Sequence, residues 1–592
     1  MTDKIFNQIK IFFPVILFLA ALIFFSFFYR FHFHFIEQLQ IFQFTGIYVA
    51  EYLKEPGFVS AILGDFLIQF YKLPFLGGFI VSVILFIIYL QLKSILKRFE
   101  ITDNWFVLPM IPVILLFLLH SSINYRLPAT VGILFSLAIF QLWILIKRYK
   151  VPATIVLIIL GYLTCGTSIL IFILVTICFE LFQKKGVHSW LVSFVYLISF
   201  LIIVYIARSF IYIISWKEAF LQISYYDWRY DVPVLIYYAL ASFPAIIIIG
   251  ILLTSGKRRG KKAAESKLYT VYQVIAILIL LFVTLPDNIS FKIEQNCRFD
   301  YEVRNKNWEK ILEYAAKIDT IQPLNQPYIN LALSHTGEML NSLFDYSPKT
   351  INSLVPPKSE NMVFNIICME IYYHQGWTSL AQVHGIMANQ ETYRGRNVHC
   401  IQRLVEIEIV NGNYRLAEKY LDILEQTLFY KSWSDEKRKL LYNEDLIKKD
   451  DDYREVRKRL PKKDLLNGAN IMVDLKQYLE SNPSSKVAFE YMIAGLMLNK
   501  DNAGIVDLIQ KQKGIRYADY PVLIQQVGMM YYLFKKGDEN VIKQFNISND
   551  VFNQFKSFYT FMDFNKNNPE LAQNQMKTDF GNTYWYYLYF VK

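Results

Sequence analysis

The residues with most chemical promise are carboxylates and arginines set beside aromatic runs. Glu37 sits in FHFHFIEQ (residues 31–38), where Phe31, Phe33, Phe35 and Ile36 interleave with His32 and His34. A carboxylate held near a membrane surface can take a hydroxyl proton beside an anionic leaving group, which is the work of a general base. Glu37 is the candidate base; the plain alternative is a solvated interfacial glutamate. Asp65, after Gly64, either assists Glu37 or caps a helix. A phosphate leaving group needs a facing cation, and arginine suits because its planar fork grips two oxygens. Arg126 in HSSINYRL (120–127) and Arg229 in YYDWRY (225–230) are the candidates. Beside Arg229, Tyr226 and Trp228 either stack on a sugar ring or belong to an interfacial aromatic belt. No metal is expected, because His32, His34 and Glu37 have a spacing that serves poorly on a helix. The five cysteines match no zinc pattern, and burial is expected for them, with one disulfide among Cys297, Cys368 and Cys400 left open.

The elements that must position these residues are mostly membrane spans. Of the 592 residues 54% are hydrophobic and only 19% charged, outside the usual range for a soluble protein of this size. Nearly all long apolar runs precede Leu285. A spanning helix needs ~20 apolar residues, and Ile11 to Phe28 and Phe75 to Leu92 come close. Further spans are read at Phe106 to Leu119, Pro128 to Ile146, Ile155 to Leu163, Leu170 to Phe182, Trp190 to Ala207, Val234 to Leu253 and Leu268 to Leu285, about nine in all. Residues 151–182 would make a single helix of ~48 Å, too long for one crossing. Two glycines and two threonines in Gly161 to Thr167 predict a hairpin there. Residues 29–74 are too polar to span and read as an outer loop of helices lying along the interface.

Basic clusters fall in every second loop: Lys4 and Lys10; Lys93, Lys97 and Arg98; Lys147, Arg148 and Lys150; Lys184 and Lys185; and Lys257 to Lys267. The positive-inside rule places these in the cytoplasm. Nine spans then put the N-terminus inside and the C-terminal half outside, as expected of a multi-pass protein of a bacterial inner membrane. No small-residue cleavage site follows the first run, which reads as an uncleaved anchor. The net charge of +11 is partly explained by these clusters and calls for no nucleic-acid partner.

From Pro286 charge returns at ordinary density, which divides the chain into a bundle (1–285) and an exported helical half (286–592). Trp308 to Ala315 and Tyr414 to Leu421 carry apolar residues at three and four spacing. The intervals from Trp308 to Trp377 to Tyr414 lie near multiples of the ~34-residue tetratricopeptide period, and GNYRLAEKYLDIL (412–424) resembles such a repeat. The expected fold is all-α: a polytopic transmembrane bundle followed by a tetratricopeptide-like solenoid. Its concave face would bind a protein partner or pack on the bundle. Residues 448–464 are a dense charge run read as a solvated linker.

The bundle resembles the polytopic glycosyltransferases of the C-type fold. In that superfamily a first outer loop with interfacial helices carries a catalytic Asp or Glu and short paired spans follow; here Glu37, the Gly161 to Thr167 hairpin and the span order carry the resemblance. It implies a polyprenyl-phosphate sugar as donor substrate and no other cofactor. No Asp-x-Asp pair stands in the first outer loop, so the metal-dependent branch is not implied. The string EQLQIF (37–42) with Pro56-Gly57 and Phe70-Tyr71 also looks like an uncharacterised bacterial family of membrane proteins with helical-repeat tails, which lends fold but not function. Spans nearly free of charge argue against a transporter. A non-catalytic scaffold, whose helical half recruits an envelope partner, is the rival reading. An enzyme should enclose a cavity lined by Glu37, Arg126 and Arg229.

Overall fold

A computed structural model describes residues 3–183, 186–221, 234–255, 267–359, 361–462, 468–511, 515, 517–565 and 569–591. All regular elements among them are helices. The chain divides into two compact units, one of residues 1–297 with 426–429 and the other of 298–425 with 430–592.

The first unit begins with α1 (Asp3–Ile23) and continues through α2 (Phe31–Gln38), α3 (Gly46–Tyr52), α4 (Phe58–Ile68), α5 (Leu76–Arg98), α6 (Met110–Leu119), α7 (Leu127–Leu145), α8 (Lys150–Cys165), α9 (Ile169–Gln183), α10 (Val187–Ile206), α11 (Trp216–Leu221), α12 (Leu235–Ser255), α13 (Lys267–Asn288) and the first half of α14 (Phe291–Arg304), whose residues from 298 belong to the second unit. Its core is apolar and aromatic, with Ile88, Leu116, Leu137, Phe140, Trp143, Phe172 and Phe243 fully buried.

Six described stretches are long and apolar enough to cross a bilayer, or seven if the bent pair Phe12–Phe28 and Phe31–Gln38 counts as one span. Helices of this kind suggest a membrane protein, but the count is not the expected nine. Three features account for the difference. The first span breaks by 73° before α2. The segment around α6 is a helix of only 10 residues, about 15 Å long. Finally, α8 and α9 run on through one short turn and count as a single stretch. The parity that set the two termini on opposite sides therefore no longer follows from a count.

Within that last stretch the predicted turn has a clear geometry. Gly166 takes φ 58°, ψ −139°, a conformation that costs glycine little and other residues much. Lys150 Nζ, at the start of α8, lies 5.8 Å from the ring centre of Phe179, near the end of α9. A straight helix would separate these residues by about 43 Å, so the two arms double back. Gly161 gives the room: a Cβ there would meet the Ile169 side chain at 2.1 Å. The lysine clusters at 184–185 and 257–262 lie outside the described residues.

In the second unit successive helices pack on one another: α15 (Trp308–Ala315) on α16 (Gln326–Thr336), then α17 (Met362–Gln375), α18 (Thr378–Gln390), α19 (Val398–Asn411) and α20 (Tyr414–Glu425) in turn, with α21 (Asp451–Lys458) against α19. Further on comes α22 (Lys486–Leu498). Left-handed glycines end α16, α17 and α19 at Gly337, Gly376 and Gly412, the usual chemistry of a helix C-terminus.

Candidate functional site

Two of the sequence candidates meet. Arg126 is extended (φ −102°, ψ 146°) just before α7, whose first turn carries Pro128, a residue preset for a helix start. Gly64 of α4 faces that turn so closely that a Cβ would sit 2.6 Å from Pro128. This approach brings Asp65 to Arg126, whose Nη2 donates to Oδ1 at 2.6 Å. The other carboxylate oxygen accepts from the Tyr52 hydroxyl at 2.7 Å and the Gln40 amide at 2.5 Å. Thr45 caps α3 by accepting from the Tyr48 backbone N–H. Tyr48 and Tyr52, four residues apart, then share one helix face, their hydroxyls 2.7 Å from each other. A buried carboxylate is tolerable only with a cation and hydrogen bonds around it, and Asp65 has both. Asp65 is buried whereas the Arg126 side chain keeps 14% of its surface.

Glu37 lies three residues before Gln40, a distance of about 11 Å at full stretch, which ties it to the Asp65 cluster. It is buried at 2% exposure and accepts from the Gln38 amide. All eight residues of α2 are in fact buried, so Glu37 is not the solvated glutamate of the plain alternative. Exposed apolar residues of the region include Phe44, Ile47, Val49 and Leu53, on and beside α3. The start of α2 is held by Glu294 of α14, whose carboxylate accepts from the N–H groups of Phe31 and His32 at 2.6 and 3.0 Å, an anion at the positive end of a helix. The His32 ring bonds the His120 carbonyl through Nε2 at 3.0 Å and lies 3.7 Å from Glu294 through Nδ1. Its role here is to join elements. Arg229, Tyr226 and Trp228 lie outside the described residues.

A cavity of about 800 Å³ in this unit is lined by α1, α5, α6 and α13 and their flanks, including Phe18, Phe86, Phe117, Leu281 and Leu285. It is apolar, and neither Glu37, Asp65 nor Arg126 lines it. The expected cavity around Glu37 and Arg126 is thus not this one. Cys165, Cys297, Cys368 and Cys400 are buried, and all five cysteines are free thiols.

The second unit holds a buried polar network that motif reading missed. Glu370 of α17 is fully buried; Arg403 of α19 grips both its oxygens at 2.9 and 2.7 Å, and His399 Nε2 lies at 2.8 Å. His374, one turn along α17, is 3.6 Å away. Arg403 also pairs with Glu406 and lies 4.2 Å over the Tyr373 ring. The other nitrogen of His399 faces Asp300 at 3.8 Å, and Asp300 accepts from the Tyr328 hydroxyl. Burial alone would raise the Glu370 pKa, but Arg403 and the hydrogen bonds from His374 and His399 outweigh it and hold the carboxyl well below its usual range. Burial lowers His374 to about 4, so it is neutral near pH 7. Every charge here has a partner, which makes the cluster a brace joining α17 and α19.

A family model described as a family of unknown function, DUF6057, matches residues 4–591. The chain belongs to this family. No curated protein and no solved structure matches it. The family match runs through both units, so the Asp65–Arg126 pair and the Glu370 network both lie within it. One sequence signal pointed to the network: Glu370 and His374, like His399 and Arg403, are polar pairs at i, i+4 on helices that are largely buried, and such pairs must find partners once buried.

Proposed function

We propose that the protein is a membrane-embedded transferase of the C-type arrangement, using a polyprenyl-phosphate sugar at the outer face of an inner membrane, with its helical half on that side. The observation carrying this reading is the Asp65–Arg126 pair at 2.6 Å, linked through Gln40 to Glu37. In the proposed step the acceptor hydroxyl oxygen attacks the anomeric carbon and its proton passes to Glu37. The bond from that carbon to the phosphate oxygen breaks, and polyprenyl phosphate leaves with the electron pair. Arg126, oriented by Asp65, would hold the phosphate oxygens. Arg229 would contact the same donor, with Tyr226 and Trp228 against the sugar. Because Glu37 is buried, residues 40–44, which form no helix, would yield as substrate enters.

The test compares envelope glycans and lipid-linked sugars in cells carrying wild type, a deletion, Glu37→Gln and Arg126→Gln at equal expression. Loss of the same glycan in the deletion and both variants is expected. Full rescue of the deletion by both variants would end the catalytic reading.

A scaffold reading is favoured by one separate observation. On α18, Val383, Ile386 and Met387 are exposed together at i, i+3, i+4 spacing, an apolar stripe suited to a protein partner. If the α18 stripe changed to serines loses the deletion phenotype's rescue while Glu37→Gln retains it, recruitment through the helical half is the function.

A further inference from the structure

A cavity of about 60 Å³ in the second unit is lined by Leu331, Ser334, His335, His374, Gln375, Arg459, Val487 and Tyr491. Its wall is mostly polar, and several of its groups are short of partners. Gln375 and Tyr491 are buried side by side, and beyond each other the Gln375 amide and the Tyr491 hydroxyl have no hydrogen-bond partner. Buried polar atoms are normally satisfied, so a group of them around one space points to a polar occupant.

The charge of the wall narrows the choice. Arg459 Nη1 donates to the His374 carbonyl at 2.8 Å, and Glu455 is the carboxylate that acts on this guanidinium. Its placement is enforced: Gly376 has φ +83°, and a Cβ there would meet the Arg459 carbonyl oxygen at 2.5 Å. His335 bonds His374 at 3.0 Å and stacks flat on Trp308 at 4.1 Å, which fixes both imidazoles at the wall. Arg459, Gln375, Tyr491 and Ser334 line a space of about four water volumes, and Arg459 brings a cation to its wall.

We propose that this cavity binds a phosphate-sized tetrahedral oxyanion, with the Arg459 guanidinium as its counter-ion and the Gln375 amide and Tyr491 hydroxyl as neutral donors. The site rests on the second unit alone and is independent of the transferase reading.

The test is calorimetric titration of the full-length protein in detergent with inorganic phosphate, with glycerol phosphate, and with chloride at matched ionic strength. Saturable phosphate binding at one site is expected, weakened about tenfold or more by Arg459→Gln, as loss of a charge-assisted hydrogen bond implies. Gln375→Leu, which leaves the charge in place, should weaken it less and serves if Arg459→Gln fails to fold. Glycerol phosphate binding as tightly as phosphate would mark the site as one for a phosphate carried on a larger molecule. Binding of free phosphate alone would mark it as one for the free ion. Equal affinity in wild type and both variants, no saturable binding, or a crystal grown in phosphate with waters only in the cavity would overturn the proposal.

Discussion

Replacing Glu370 by Gln should strike the second unit at the joint between α17 and α19. The change keeps shape and removes one charge. Arg403, with 4% of its side chain exposed, then loses the counter-ion that holds two of its nitrogens and keeps Glu406. Breaking one half of a buried pair costs about 3–5 kcal/mol; because Glu406 stays, about 3 kcal/mol is expected here. At 1.4 kcal/mol per tenfold, that is roughly a hundredfold faster hydrogen exchange for the best-protected amides of α17 and α19. Exchange measured peptide by peptide on the full chain reports this directly, with the helices of the first unit as an internal control. Replacing Glu370 and Arg403 together by methionine should not repair the joint, since Glu406 then loses its arginine. An exchange rate for Glu370→Gln within about twofold of wild type would refute the idea that the network braces these helices.

Three more outcomes follow from the geometry. Stability of the second unit should fall as pH drops from about 6.5 toward 4: the unfolded state protonates His374 while the native state, with its pKa at about 4, does not, a loss of about 3 kcal/mol. Glu370, whose folded pKa lies below its unfolded value, adds a loss of the same sign below pH 4.5, and thermal melts between pH 7 and 4 check both. Gly64→Val should push α4 off Pro128, costing about 1–3 kcal/mol and lowering the melting temperature; an unchanged melt would mean the two helices can part freely. Glu294→Gln should weaken the cap on α2 by about 1 kcal/mol, read as about fivefold faster exchange across residues 33–38.

Much of the first unit was legible because membrane helices announce themselves by length and apolarity. Leu76–Arg98 and Val187–Ile211 are long and apolar enough to cross a bilayer. The count failed where helix geometry and hydropathy part company: Phe106 to Leu119 is apolar throughout but becomes helical only from Met110. Asp65 and Arg126 were each picked out by type and place, yet their pairing was not, because it depends on Gly64 meeting Pro128 across 64 positions of chain. The burial of α2 was also hidden, since its partner Glu294 lies more than 250 residues away. The Glu370 network lay beyond motif reading because its members share no short spacing across helices. Their i, i+4 pairs within helices were the only trace.

The folded-back arms of α8 and α9 make a demand on their surroundings. With 16 and 15 residues they reach about 24 and 22 Å, against a hydrocarbon slab of ~30 Å. Set in such a slab, an apex that falls this short would draw the far headgroups inward to meet Gly166 and its flanking threonines. At fractions of a kcal/mol per Å of mismatch, such a dimple is cheap enough to persist, and it would carry water and lipid phosphates deeper at this spot than anywhere along the longer helices.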